Sequence, residues 1–228
     1  MIVMGVMHIN NDVSLIAVLA AAAMLPFLLA VGTCYIKFTV VFTLIRNALG
    51  LQQVPSNMVI NALSLILAFY VMHPIVSGVQ EAYKALDTPL TTVQGTADFL
   101  DESLGEYRAY LARHSDPELL DFFERARAVD GSAVSPPGTA GEDRSLSALL
   151  PAYALSELKD AFLMGFYLYL PFIVIDLIVS SILLALGMMM MSPVTISAPI
   201  KLILFVVLDG WSLLSQGLIQ QYMDVAPI

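Results

Sequence analysis

The chain is poor in charged residues and has a single cysteine. Charged residues make up 13% of its 228 residues and hydrophobic residues 58%, whereas soluble domains carry about 25% charged and roughly 45–50% apolar residues. This composition excludes an ordinary soluble domain and is typical of a membrane protein. Cys34 is the lone cysteine, which excludes a disulfide bond within the chain.

The chain also lacks the common motifs of catalysis and cofactor binding. It contains no glycine-rich phosphate loop ending in Gly-Lys-Ser/Thr, no Gly-x-Ser-x-Gly nucleophile elbow and no His/Cys pattern with metal-ligand spacing. The formal net charge of −9 is opposite to the basic surface by which proteins bind nucleic acid. The sequence therefore predicts neither an enzyme nor a protein that holds a cofactor, a metal ion or nucleic acid.

What the chain has instead is a set of long apolar runs around one polar insert. The runs are Val13–Leu44, Met58–Val79, Ala161–Leu186 and Ile196–Leu214. Between Gln80 and Asp160 lie 15 acidic and 7 basic residues, so most of the negative charge belongs to the insert. A bilayer core of about 30 Å needs roughly 20 helical residues, and the apolar runs approach or exceed that length.

These patterns predict an all-α membrane protein built from two long hydrophobic helical hairpins with a helical acidic insert between them. The N-terminal hairpin is expected over residues 1–79 and the C-terminal hairpin over residues 148–228. The insert is expected over residues 80–147, mainly helical, with a flexible Pro- and Gly-containing loop at residues 131–145.

Proline and glycine divide the first two runs. Pro26 and Gly32 give the first run places to kink, and the second is expected to break near His73–Pro74, because proline removes a backbone donor and clashes with the preceding turn. Gly50 is expected to end one helix and Pro55 to begin the next.

Four charged residues lie inside the apolar runs: Lys37, Asp176, Lys201 and Asp209. A charge near the middle of a span costs about 2.5–3.5 kcal/mol, and a buried charge is tolerated when it is paired. If the last two runs form an antiparallel hairpin centred near Met191, Asp176 lies opposite about Val206, within a turn of Asp209. Lys201 then lies about five residues nearer the tip. We therefore expect ion pairs within or between subunits.

Two other functions for these carboxylates stay open. Asp176 and Asp209 on adjacent apolar helices could act as base and acid of an intramembrane aspartic protease, but Asp209 lies in Leu-Asp-Gly-Trp and not in the Gly-x-Gly-Asp setting of that class. They could instead carry ions or protons in an ion-coupled transporter or channel subunit, although the two hairpins share little sequence.

Four consecutive methionines connect the last two runs: Met188, Met189, Met190 and Met191. Methionine is unbranched and polarizable and adapts to changing neighbours. Four in a row span most of a helix circumference at 3.6 residues per turn, so they cannot share one packed helix face. Such a tip suits a closure that seals and gives way, or simple packing against lipid or a neighbouring helix.

The basic residues predict an orientation in the membrane. Arg46 flanks the first short connection and Lys201 lies just beyond the second, while the long insert is poor in Lys and Arg. The positive-inside rule then places both short connections on the cytoplasmic side, with the insert and both termini on the outer side.

Several long motifs, in order along the chain, resemble those of the SctR/FliP family of the type III secretion export apparatus. They are Arg46–Asn57 (RNALGLQQVPSN), Leu149–Lys159 (LLPAYALSELK), Leu170–Leu177 (LPFIVIDL), Leu184–Pro193 (LALGMMMMSP) and Leu208–Trp211 (LDGW). The resemblance extends from Asp12 to about Asp224 and is closest to the Inv-Mxi-Spa branch of injectisomes.

The resemblance implies a homopentamer that joins SctS-like and SctT-like subunits at the centre of the needle-complex base, next to the inner rod. Secreted protein substrates would pass unfolded through its central pore, and no step would need a catalytic residue. It also implies that Met188–Met191 form the gasket that closes this pore at rest. The complex would lie in the bacterial inner membrane and extend to its periplasmic side.

Overall fold

The structure is a computed structural model that describes residues 19–85 except 21, 22, 25 and 28, together with residues 104–128, 144–188 and 190–223. Within these ranges the regular structure is entirely helical. The predicted flexible loop falls outside the described residues, apart from its last two positions. Met189 also lies outside them.

Six helices carry the described fold: α1 (Tyr35–Ala48), α2 (Asn57–Ala85), α3 (Pro117–Ala128), α4 (Leu146–Ala185), α5 (Pro193–Val207) and α6 (Gly210–Met223). The described residues between 19 and 31 and those from 104 to 113 are helical as well. The prediction of an all-α membrane protein with long apolar helices is confirmed.

Two glycines in the left-handed conformation end α1 and α4 in the same way. Gly50 has a φ of 76° and Gly187 a φ of 74°. At the end of α1, the Gly50 N–H donates to Asn47 O over 3.0 Å and the Leu51 N–H donates to Arg46 O over 3.2 Å. The end of α4 has the equivalent pair of bonds at 3.0 and 2.9 Å. Both ends are therefore Schellman motifs, in which glycine is favoured because it has no Cβ.

The Schellman motif at the end of α4 gives the C-terminal hairpin a different register from the predicted one. Because α4 ends at Ala185 and α5 begins at Pro193, the turn is centred near residue 189 and not near Met191. Asp176 consequently lies opposite Lys201, about one and a half turns nearer the tip than the position predicted to face it.

The last apolar run is not one helix, because the chain bends by 61° between α5 and α6. Asp209 lies at the bend with a φ of 51°, a left-handed conformation that Asp tolerates better than most residues. The expectation of a charge near the middle of a continuous helix is therefore wrong for Asp209, which is exposed.

The predicted break at His73–Pro74 is also wrong, since α2 continues through Pro74 to Ala85. Proline is tolerated inside apolar helices of membrane proteins where other groups satisfy the freed carbonyls. The carbonyl that loses its helical donor here is that of Tyr70, and α2 continues despite this one lost bond. In contrast, the first run does break at Gly32, as expected, and α1 starts after Cys34.

α1 is the central helix, because it packs mainly against α4 and also against α2. Its buried face carries Cys34, Phe38 and Phe42, which pack with residues of α2, α4 and α6. The insert contacts this core through Tyr107, whose hydroxyl donates to Gly32 O over 2.8 Å.

Large apolar faces remain exposed on the long helices. Two of the described helices are long and apolar enough to cross a membrane, over Asn57–Gly78 and Leu146–Ala185, and the bent pair α5–α6 can make a third span. Only 22% and 17% of their most apolar windows are buried within the chain. The protein is therefore a membrane protein whose apolar surface needs lipid or other protein around it.

The two Schellman glycines allow a matched test of the contact between the first connection and α5. A Cβ on Gly50 would lie 3.3 Å from the Ala198 Cβ, whereas a Cβ on Gly187 would meet nothing within 4 Å. Each Gly→Ala change carries the left-handed cost of about 1–2 kcal/mol. We expect Gly50→Ala to lower the melting temperature of the detergent-solubilised protein more than Gly187→Ala does. Equal losses would show that the contact adds nothing to stability.

Candidate functional site

The methionine tip lies at the end of the C-terminal hairpin, between the Schellman turn of α4 and the first residue of α5. Met190 is fully exposed, and Met188 and Met191 are partly exposed. The Met191 N–H donates to Met188 O over 3.2 Å, so the described part of the tip is a tight turn. The tip therefore exposes flexible apolar side chains on a turn whose two ends continue into α4 and α5.

The first connection lies beside this hairpin. Its Gly50 faces Ala198 and Val194 near the start of α5. At the other end of the connection, the Arg46 guanidinium donates to Asn57 Oδ1 over 2.5 Å and to Pro55 O over 3.2 Å. Both short connections are consequently at the same end of the described molecule, next to the methionine tip.

α5 contacts the rest of the chain through one narrow stripe. Its buried residues are Ser197, Lys201 and Phe205, spaced four residues apart, so they lie on one face of the helix. Apart from the half-buried Ile196, the other large apolar side chains of α5 are exposed.

The stripe carries the cation of the first of two ion pairs; Lys201 is buried, whereas the Asp176 side chain is 35% exposed. The Lys201 ammonium donates to Asp176 Oδ2 over 2.5 Å and to Ala48 O over 3.0 Å. The Ser197 hydroxyl donates to Asp176 Oδ1 over 2.6 Å. Ala48 is the last residue of α1, where unpaired carbonyls and the helix dipole favour a cation. One ammonium thus joins three helices, and its charge is balanced by an adjacent carboxylate.

Asp209 is not part of this group. Its carboxylate accepts a hydrogen bond from the Ser212 hydroxyl over 3.0 Å, and its backbone carbonyl accepts from the Leu213 N–H over 3.1 Å at the start of α6. Asp209 forms no ion pair with another residue of the described ranges. Of the four predicted charged residues, the structure brings only Asp176 and Lys201 together.

Lys37 belongs to a second buried ion pair, at the opposite end of α1. Its ammonium lies 3.1 Å from Glu157 Oε1 and 3.4 Å from Asp160 Oδ2. The ammonium also lies 4.9 Å from the centre of the Tyr222 ring, within the range of a cation–π contact. The Tyr222 hydroxyl donates to Glu157 Oε2. This group connects α1, α4 and the end of α6.

A crevice of about 550 Å³ opens beside the Lys37 ion pair. It lies between α4, α6 and the segment directly before α3. On its rim, the Lys159 ammonium donates to Asp116 Oδ2 over 2.6 Å, which holds the pKa of that exposed carboxyl below its usual range. Burial lowers the pKa of His114, whose ring lies 5.1 Å from that of Tyr222. His114 is therefore uncharged at neutral pH and adds no further cation near Lys37.

Sequence reasoning missed Glu157 and Tyr222 as partners of Lys37. Glu157 was counted with the charges of the acidic insert, because Lys159 and Asp160 follow it directly before the apolar run that starts at Ala161. The available signal was the first part of α4, where apolar residues continue at helical spacing through Leu149, Ala152 and Tyr153. That spacing extends α4 backwards and places Glu157 inside it.

Comparisons with known proteins find relatives over nearly the whole chain. The FliP family model matches residues 18–218. Over 222 residues the chain is 54% identical to the surface presentation of antigens protein SpaP of Salmonella typhi, covering 95% of this chain and 99% of that protein.

Two further relatives span nearly the whole chain. The SpaP protein of Shigella flexneri is 56% identical over 215 residues, covering 94% of this chain and 98% of that protein. The Yop proteins translocation protein R of Yersinia pestis is 45% identical over 218 residues, with the same coverage of 94% and 98%.

Removing Lys37 should destabilise the fold far more than removing a nearby exposed lysine. Lys37→Met leaves the buried Glu157 carboxylate without its main cation, and such a loss typically costs about 3–5 kcal/mol. Lys159→Met breaks the largely exposed pair with Asp116 and should change stability little. Thermal unfolding of both variants in the same detergent measures the difference. Similar melting temperatures would contradict a stabilising role of the Lys37 group.

Proposed function

The chain belongs to the FliP family of type III secretion export-apparatus proteins, and we propose that its methionine tip forms part of the gasket of an export pore. Unfolded substrate proteins enter this pore from the cytoplasmic side, driven by other components. The tips of several copies close the pore at rest and are displaced by the passing chain.

The observation that carries this proposal is the exposure of the methionine tip. Met190 is fully exposed at the end of a hairpin, next to a glycine turn and with no described residue covering it. Thioether side chains are flexible and demand no fixed polar partner. A ring of them can therefore close around unfolded chains of any sequence and exclude small solutes when no chain is present.

The exposed apolar faces support an assembly around this gasket. α4 alone spans 40 residues, or about 60 Å at 1.5 Å per residue, which is longer than a bilayer core of about 30 Å. We propose that these faces contact further copies in a homopentamer and SctS-like and SctT-like subunits. The complex would lie in the inner membrane and extend to the periplasmic side, where the needle-complex base and the inner rod begin.

In this assembly the ion pairs have a structural role. Lys37 and Lys201 are each buried beside carboxylates of α4, and they hold α1 and α5 against that helix. Asp176 provides the acid of the Lys201 pair, and Asp209 bonds to Ser212 at the start of α6. The proposal assigns no catalytic step to any of these residues.

The two alternatives have less support. An ion-coupled transporter needs carboxylates that bind and release ions, but Asp176 is engaged by Lys201 and Ser197. An aspartic protease needs two carboxylates that share a proton, but Asp209 lies at an exposed bend and bonds to Ser212.

Replacing Met188–Met191 by alanine should leave the complex assembled and raise its leakage of small solutes. Alanine removes the flexible thioethers that fill the pore, while the hairpin keeps its glycine turn and its ion pair. The measurement is the flux of a small dye through the complete complex in vesicles. A matched control replaces Met58 and Met223, exposed methionines outside the tip, by alanine. Unchanged flux through an intact alanine complex would refute the gasket.

Assembly itself is tested by native mass spectrometry of the detergent-extracted protein. Expressed with its operon neighbours, the chain should appear as a pentamer that carries two kinds of smaller hydrophobic subunit. A monomer or dimer that ignores those partners would contradict the export-pore assembly and favour a self-contained transporter.

A further inference from the structure

In the half of α5 that follows the methionine tip, both buried side chains bond to the same carboxylate. In this half, Ser197 and Lys201 are the buried residues, and both donate to Asp176, one to each oxygen. Lys201 has one further acceptor, Ala48 O. This half also lies next to the first connection, where Ala198 and Val194 face Gly50, and its Ile196 side chain is half-buried.

The other half of α5 is fixed by different, apolar contacts. The ring of Phe205 fills the space that a Cβ on Gly210 would occupy. It lies 5.3 Å from the Trp211 ring, edge to face, and 6.5 Å from the Phe172 ring. These contacts hold the elbow between α5 and α6 without any contribution from Asp176.

Pro199 lies inside the tip-side half of α5, between Ser197 and Lys201. Proline has no N–H and removes one intrahelical hydrogen bond, so the backbone hydrogen bonding of this half is weaker than that of the elbow-side half. The helix is thus held by an ionic contact on the tip side and by aromatic packing on the elbow side.

From this arrangement we propose that Asp176 is a positioning residue for the methionine tip. Its carboxylate acts as a latch that keeps the first two turns of α5, and with them the tip, in the closed position. When the latch is broken, this half moves away from α4 while the Phe205 elbow stays in place. The link to pore closure rests on the proposed gasket, but the latch itself is a property of this chain.

Hydrogen–deuterium exchange of the full-length protein tests the latch without using secretion as a readout. Asp176→Ala removes both acceptors, and Lys201→Met removes the cation. Each should speed exchange of residues 193–201 about tenfold or more, because one member of a buried pair is left alone. Exchange of residues 210–223 should stay unchanged. Lys201→Arg, which keeps the charge, should restore most of the protection.

Glu157→Gln provides the matched control. Glu157 lies on the same helix as Asp176 and belongs to the other buried ion pair, but it contacts α1 and α6 instead of α5. This variant should speed exchange near Lys37 and Tyr222 and leave residues 193–201 protected. If Asp176→Ala proves too unstable to purify, Ser197→Ala removes one hydrogen bond to the same carboxylate and no charge. It should give a smaller increase in the same segment.

Faster exchange spread evenly over α5 and α6 in Asp176→Ala would overturn the latch, as would unchanged exchange at residues 193–201. Dye flux through the complete complex separates the latch from the gasket. Asp176→Ala should raise the flux, but not beyond that of the variant with four alanines at the tip. If the alanine tip does not leak, the gasket fails, while the exchange result still decides whether Asp176 holds α5.

Discussion

The ammonium group of Lys201 is the contact on which the arrangement of the C-terminal hairpin depends. It is almost completely buried, beside a carboxylate of α4 and the last carbonyl of α1. An unpaired ammonium in such surroundings would be very costly, so α5 can pack only where both acceptors meet it. The pairing therefore sets the register of the hairpin, and with it the distance of the methionines from the first connection.

The apolar runs were sufficient to predict the helices, because a membrane leaves no other way to satisfy the backbone of so long an apolar segment. The position of the turn between α4 and α5 was not predicted correctly, although the sequence marks the end of α4 with a glycine. Ala-Leu-Gly occurs at residues 48–50 and again at residues 185–187, and both glycines end a helix. Gly50 was used to place a helix end and Gly187 was not. The predicted centre of the C-terminal hairpin was therefore too far along the chain.

The candidate site was only partly readable from the sequence. A charge in an apolar run stands out, so Lys37 and Lys201 were found at once. Their partners depend on how helices cross, and hydropathy carries no information about crossing. Glu157 belongs to a charged stretch at the edge of the insert, and Tyr222 gave no sign that its hydroxyl would meet a carboxylate. Nor does hydropathy distinguish an apolar face that meets lipid from one that meets another subunit.

The burial of Cys34 has a practical consequence for work on this protein. Its side chain is fully enclosed at the break before α1. Thiol reagents attack the thiolate and need access to it, so the native cysteine is silent towards them. Cysteines introduced at the exposed tip or on the outer helix faces can carry probes selectively, with no need to replace the natural one.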